Sequence, residues 1–414
     1  MSNLPDNWDL LPLEKCMAEV IDYRGKTPNK TNTGIPLITA KIVKGGRINE
    51  VQEYIDPKDY DSWMRRGLPQ AGDIVMTTEA PLGEIAQLDN RKVALAQRLI
   101  TLRGKIGLLD NNYLKFLMQS YFVQNQLSSR ATGTTVLGIK QSELRKISLI
   151  LPPLPEQKAI ASILSSLDDK IELNQQMNQT LEAMARAIFK SWFVDFDPVR
   201  AKMAGKQPVG MDAATANLFP DSFEESALGL IPKGWRVGRL DDLLILQRGF
   251  DLPKSKRIYG CYPIIAASGF SDNHIEYKVK GPGVTTGRSG VLGNVFYIHN
   301  NFWPLNTSLW VKEFRIAKPI YAYHYLRTLE LEAFNAGSAV PTLNRNHIHS
   351  LSSIIPSKSI IQEFENLINA MFRKRYQNHK KSRTLANIRD TLLPKLMSGE
   401  IRVKEAKTII KEVN

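Results

Sequence analysis

The chain has 414 residues, with 55 basic against 41 acidic side chains and a formal charge of +14 at neutral pH. That length calls for two or three domains at roughly 100–200 residues each, and 43% hydrophobic with 23% charged residues excludes wholesale disorder. Apolar runs such as Ile147–Leu151 and Leu243–Leu246 fall far short of the ~20 residues that span a bilayer. The opening MSNLPDNWDL lacks the apolar core of a secretory signal. Two cysteines, Cys16 and Cys261, are too few for a disulfide framework or a zinc cluster. The expectation is a soluble, cytoplasmic protein.

The charge is uneven. Residues 1–155 hold 20 basic and 16 acidic residues, 156–230 hold 7 and 11, 231–356 hold 15 and 8, and 357–414 hold 13 and 6. A basic excess on both sides of an acidic middle is what a polyanion-binding surface leaves in a sequence.

From the N-terminus, residues 1–155 alternate short β-branched stretches (IPLITAKIV, GDIVMTT, RLITL) with Gly, Pro and Asn turn signals, as strands do. Asn111–Gln126 has the three- and four-residue apolar spacing of a helix. Residues 156–200 then read as one long helix. Pro155 stands in its first turn, and its seam is Ile160, Leu164, Leu167, Ile171, Asn174, Asn178, Leu181, Ala185, Ile188 and Trp192, in the four-three rhythm of a coiled coil. A linker at 201–224 leads to a second mixed region, 225–356, with strands at YPIIAAS, NVFYIH and SLWVK and a helix at Ala317–Ala333. Residues 357–400 form the second long helix. Ser359 and Gln362 suggest a capping box at its start, and Pro394 suggests its end. Its seam is Phe364, Ile368, Met371, Arg375, Asn378, Ser382, Leu385, Arg389 and Leu392, and a tail, 401–414, follows.

The second half repeats the first. Residues 133–192 align without a gap on 337–396, matching Gly133 with Gly337, Val136 with Val340, Leu144 with Ile348, Pro152 with Pro356 and Leu181 with Leu385. A fainter echo sets Pro5 and Trp8 against Pro232 and Trp235, and IPLITA at 35–40 against YPIIAA at 262–267. Both seams are polar at mid-length, so an antiparallel, pseudo-two-fold pair would bring those polar positions together and fix register at some cost in stability. Asn174 and Asn378 are the expected register residues. The fold class expected is α+β, two globular domains joined by two long antiparallel helices.

Catalytic patterns do not emerge. Gly281–Gly293 lacks the spacing of a phosphate loop, with Arg288 where a lysine is needed. Leu151-Pro-Pro-Leu154 and Phe196-Asp-Pro-Val199 have no side chain to hold an exocyclic amine, and the six histidines have no metal-ligand spacing. The expectation is a chain with no catalytic residues and no bound metal.

The run PPLPEQKAIASILSSLDDKIELNQQMNQTLEAMARAIFKSWFVDFDP at 152–198 strongly resembles the central conserved region of type I restriction–modification specificity subunits. LLPKLMSGEIRV at 392–403 resembles their distal conserved region, and GDIVMTTEAPLGEIA at 72–86 resembles their target-recognition domains. The resemblance implies that 1–155 and 225–356 each read one half of a bipartite DNA target while the helices set the spacer. It implies partners as well: two modification subunits that bind S-adenosylmethionine and methylate adenine N6, and two ATP-dependent translocase/nuclease subunits. This chain then binds no cofactor, and S-adenosylmethionine, ATP and Mg2+ belong to the partners. A DNA-recognition scaffold of a modification-only or other phage-defence system is the alternative.

Reading bases requires side chains in the major groove, positioned by phosphate contacts. The residues expected to do so lie in turns after predicted strands. They are Lys41, Lys44, Arg47, Thr78, Glu79, Arg98 and Lys140 in the first half, and Ser268, Arg288, Asn306, Thr307, Arg345 and His347 in the second. Arg186, Lys190, Trp192, Phe193 and Phe196 end the first long helix in an aromatic patch, suited either to packing on a neighbouring domain or to docking a modification subunit.

Overall fold

The structure is a computed structural model and describes residues 4–23 and 27–413. It divides into two compact units, residues 1–173 with 381–414, and residues 174–380. Both long helices are continuous, Leu154–Phe193 (the central helix) and Lys358–Ser398 (the distal helix), and each contributes to both units. The first unit is therefore built from the two ends of the chain, and the second from its middle.

In the first unit a four-stranded antiparallel sheet runs in the order Met17–Asp22, Leu99–Gly104, Ile74–Thr77, Ile85–Gln87. Ile35–Ile38 makes a short parallel pairing with Ala94–Leu95. Asp9–Pro12 pairs antiparallel with Ser148–Leu151, which delivers the chain into the central helix. The predicted helix at 111–126 is two helices, Asn111–Gln119 and Tyr121–Arg130. Ser120 breaks them because its backbone is extended and its side chain caps the second by accepting from Val123 N–H.

The second unit repeats this order. Its sheet is Leu244–Arg248, Ser308–Phe314, Gly283–Gly287, Val295–Ile298. Tyr262–Ala266 pairs parallel with Trp303–Pro304, and Arg236–Arg239 pairs antiparallel with Ser352–Ile355 ahead of the distal helix. The strand echo between 35–40 and 262–267 thus holds in the pairing as well as in the letters.

The helices pack antiparallel. In the first unit Ile160, Leu164, Leu167 and Ile171 share a core with Leu385, Leu392 and Leu396, and Asp168 meets Arg389 at 2.8 Å. In the second, Asn178 meets Asn378, Glu182 meets Arg375, and Trp192 stacks edge-on against Phe364. Partner numbers that rise along one helix fall along the other.

Several details depart from expectation. Pro394 lies inside the distal helix, which ends at Ser398 with Gly399 in the left-handed region (φ 75°). Leu392, Leu396 and Met397 are fully or almost fully buried around it. At roughly 1.5–3 kcal/mol each, they outweigh the ~3 kcal/mol a helical proline costs. The distal helix is capped by Ser357, whose Oγ accepts from Ile360 N–H, and Gln362 turns away to Asn366, so no Ser359 capping box forms. The expected helix 156–200 stops at Phe193 and a separate helix, Asp197–Met203, follows a left-handed Phe196, while the linker beyond carries helix Ala213–Asn217 and a buried Phe219. The tail carries helix Val403–Val413, which buries Ala406 in the first unit.

The aromatic patch at the end of the central helix belongs to the second unit's core. Trp192, Phe193 and Phe196 are each under 10% exposed, packed on Phe219, Trp235, Tyr321 and Phe364. Of the two uses left open for it, these three rings serve domain packing. Among the described residues no helix is long and apolar enough to cross a membrane.

Candidate nucleic-acid interface

One backbone arrangement occurs twice, and it gathers most of the expected reading residues. In the first unit the chain leaves strand Ile74–Thr77 at Thr78. Thr78 N–H donates to the Arg98 carbonyl at 2.9 Å, and its own carbonyl accepts from Ile139 N–H at 3.0 Å. In the second unit the chain leaves strand Gly283–Gly287 at Arg288. Arg288 N–H donates to the Thr307 carbonyl at 2.8 Å, and its carbonyl accepts from Leu343 N–H at 2.8 Å. Three segments distant in sequence are thus knotted at one point, in the same way, in each unit. Backbone bonds fix the knot, so its side chains can differ without changing the scaffold.

They do differ. In the first unit Arg98 pairs with Glu79 at 2.9 Å, both half-exposed, and the exposed Lys140 sits one residue beyond the knot. Such a pair contributes little to stability (about 0–1 kcal/mol), so both groups can exchange partners cheaply. Thr78 itself is buried and acts through its backbone. In the second unit the Arg288 guanidinium donates to the Asn306 carbonyl at 2.7 Å, and the Asn306 amide bonds Asp251. The other Asp251 oxygen lies 3.8 Å from Arg248. Burial, together with the neighbouring Arg248 charge, holds the Arg288 guanidinium below its ordinary pKa against the pull of Asp251. Two guanidiniums beside one carboxylate leave an uncancelled positive charge, a suitable receptor for phosphate or for guanine O6 and N7. Ser268 is exposed beside Ala267, whose N–H reaches Thr307 Oγ1 at 3.4 Å.

The knot also positions Lys140 and Arg345. Lys140 stands just before the short helix Gln141–Leu144 with its side chain uninvolved in capping, and Arg345 opens the counterpart Arg345–His349, capped by Asn344. Arg345 and His347 are exposed. His349, two residues on, faces inward and accepts from Leu246 N–H at 2.8 Å.

Three expected residues lie elsewhere. Lys41 and Lys44 are exposed in the turn and hairpin that follow Ile35–Ile38. Arg47, on the same hairpin, reaches the Asp168 carbonyl of the central helix at 3.0 Å within the first unit. Arg248 and Asp251 escaped the sequence reading because an Arg at a strand end and an Asp three residues on resemble any surface pair. Only the fold carries them to Arg288.

At the helix seam Asn378 is 1% exposed, and its Nδ2 donates to Asn178 Oδ1 at 3.0 Å. Asn174 is half-buried one turn earlier. One turn further along, Glu182 accepts from the Tyr323 hydroxyl at 2.9 Å and pairs with Arg327 and Arg375. Burial would raise the Glu182 carboxyl, but the Arg375 charge, the Tyr323 bond and the Arg327 charge outweigh it and hold its pKa below the ordinary value. Among the described residues no cluster of His, Cys, Asp and Glu side chains is arranged to hold a metal ion.

The same backbone knot is built once in each unit, and in both an exposed cation, Lys140 or Arg345, stands just beyond it. The model of the type I restriction modification DNA specificity domain matches residues 14–183 and 232–384, and the chain belongs to that family. It is 28% identical to the type I restriction enzyme MjaIX specificity subunit of Methanocaldococcus jannaschii, over 98% of this chain and 96% of that one. It is also 28% identical to the HindI specificity subunit of Haemophilus influenzae, over 76% and 82%. The crystal structure of the type I restriction–modification system S subunit from M. genitalium shares the fold, with a TM-score of 0.61 at 18% identity over 96% of this chain and 97% of that one.

Proposed function

We propose that this chain is the addressing subunit of a type I restriction–modification complex and performs no bond-making itself. Each unit reads one half of an asymmetric, bipartite DNA target, and the two continuous helices set the unspecified spacer between the halves. Two modification subunits, carrying S-adenosylmethionine, methylate adenine N6 at the address. Two ATP- and Mg2+-dependent translocase/nuclease subunits complete the restriction complex in the cytoplasm.

The observation that carries this reading is the twice-built knot. A shared backbone, with Glu79 and Arg98 in one copy and Arg248, Arg288 and Asn306 in the other, is what reading two different half-sites with one scaffold requires. Phosphate contacts then supply affinity and base contacts supply the address. Sequencing the methylated adenines of the host genome with and without this gene tests it. One split motif should disappear with the gene, and an unchanged methylation pattern would refute the reading.

A further inference from the structure

Beside each knot a tight loop is held rigidly with apolar side chains at its tip. In the first unit Thr132 and Gly138 exchange both backbone hydrogen bonds, at 2.8 and 2.9 Å, and close the loop between them. In the second, Ala336 N–H donates to the Thr342 carbonyl at 2.8 Å, and Asn335 Oδ1 accepts from both Gly337 and Thr342 N–H at 2.9 Å. The two interiors are equally tight. A Cβ on Gly133 would lie 2.1 Å from the Val136 carbonyl oxygen, and one on Gly337 would lie 2.0 Å from the Val340 oxygen. Only glycine fits there in either copy.

This rigidity presents exposed apolar groups. Val136 is 51% exposed, Leu137 50% and Val340 55%. Each loop is strapped to its knot. Gly138 bridges Glu79 in one, while Thr342 bridges Ser289 and Gly290 N–H bonds the Pro341 carbonyl in the other. Each then leads directly to Lys140, just ahead of its short helix, or to Arg345, the first residue of its own. Each tip therefore lies a few residues from an exposed cation, Lys140 or Arg345, which favours a polyanion over an apolar protein face as the occupant.

We propose that Val136 with Leu137, and Val340 in the other copy, are specificity-determining residues that make apolar contact with base edges of their own half-sites. The inference rests on the proposed reading of the two units as half-site readers and extends it to side chains that carry no charge. Thymine methyl groups in the major groove are the natural partners of such contacts. A rigid loop loses little entropy on docking, which explains why a glycine that tolerates no side chain stands at the same place in both copies.

The test uses the full chain assembled with its modification subunits, and DNA duplexes carrying every single-base-pair change in both half-sites. The variants are Val136→Ser with Leu137→Ser, and separately Val340→Ser. These positions are exposed, so folding should be unaffected. Discrimination should fall about tenfold at one or two adjacent positions of one half-site only, a different half-site for each variant, with the salt dependence of binding unchanged. Equal weakening on all sequences, unchanged profiles, or loss of complex assembly in place of discrimination would overturn the inference. If the wild-type complex itself shows no half-site preference, the underlying reading of the units has failed instead.

Discussion

Asn378 donates its side-chain amide to Asn178 Oδ1 at 3.0 Å from a position 1% exposed to solvent. A neutral hydrogen bond contributes about 1 kcal/mol net, whereas an amide left buried and unpaired costs about 1–3 kcal/mol. The pair is thus worth more as a constraint on register than as a source of stability. Asn378→Leu alone, facing an orphaned Asn178, should lower stability by about 1–2 kcal/mol. Adding Asn178→Leu should restore the melting temperature to wild type or above. A double variant no better than the single would show that the two amides do not act as a unit.

The long helices, the strand echoes and the repeat were legible because they depend on periodicity, which sequence carries directly. Their ends were not. Pro394 and Ser359 carry the right local signals, but Leu396 and Met397 bury beyond the proline and Ser357 reaches the first turn sooner. The polar middle of both seams was legible, but which amide faces which was not: Asn378 meets Asn178, a choice of one helical turn that is invisible without the facing helix. Arg288, Asn306 and Thr307 were picked from their turn positions, and the fold brings the three together at one knot. Arg248 was missed because what distinguishes it is the like charge it faces across the fold.

His324 gives the second unit a pH dependence. It is 2% exposed among Phe189, Phe364 and Phe372, and its Nε2 is buried without a hydrogen-bond partner. Burial, helped by the charges of Arg327, Arg375 and Arg186 and opposed by Glu182, pushes its pKa down to about 4. The unfolded chain takes up this proton near pH 6.5, so stability is full above that value and falls as the pH drops from about 6.5 to about 4. At pH 5 the loss from this residue is about 2 kcal/mol. His324→Phe should remove that part of the difference between urea midpoints at pH 8 and pH 5. His299, also lowered to about 4, should retain a share of its own. An equal pH 8-to-5 loss in variant and wild type would show that His324 does not titrate in this way.

Asp168 anchors the helix pair in the first unit. It is 9% exposed, with one carboxylate oxygen 2.8 Å from Arg389 and the other 3.3 Å from Lys115. Removing the carboxylate takes the counter-charge from the partly buried Lys115 and leaves Arg389 only the exposed Asp390, 2.8 Å away. Asp168→Ala should destabilise by about 2 kcal/mol. Adding Arg389→Ala should recover part of that loss, a coupling that a double-mutant cycle reads directly. Strictly additive losses would mean the pair is incidental.

Arg288 and Arg345 should separate base reading from phosphate holding. Arg288 is fixed by its bond to the Asn306 carbonyl, and a fixed guanidinium fork can bridge guanine O6 and N7 with ~1–3 kcal/mol of discrimination. Arg288→Ala should relax one position of the second half-site and leave the first half-site untouched. Arg345 stands exposed at the start of its short helix. If it also reads a base, Arg345→Ala relaxes a second position. If it grips phosphate, binding weakens equally on every sequence and the slope of log K against log salt falls by about one. Profiles from one set of mutated duplexes at two salt concentrations assign both residues.

The spacer prediction follows from helix continuity. The division between units falls inside both helices, at 173/174 and 380/381, with no break in either. Seven residues inserted at each point keep the apolar seam in phase, because seven is the seam's own repeat. They add about 10 Å of helix at 1.5 Å per residue, or about three base pairs of B-DNA at 3.4 Å per step. The methylated motif should keep both half-sites and widen its gap by two to four base pairs. Four inserted residues would move the following side chains out of phase with the seam and should destabilise the pair. A seven-residue variant that methylates the original motif with the original gap would show that the helices do not measure the spacer.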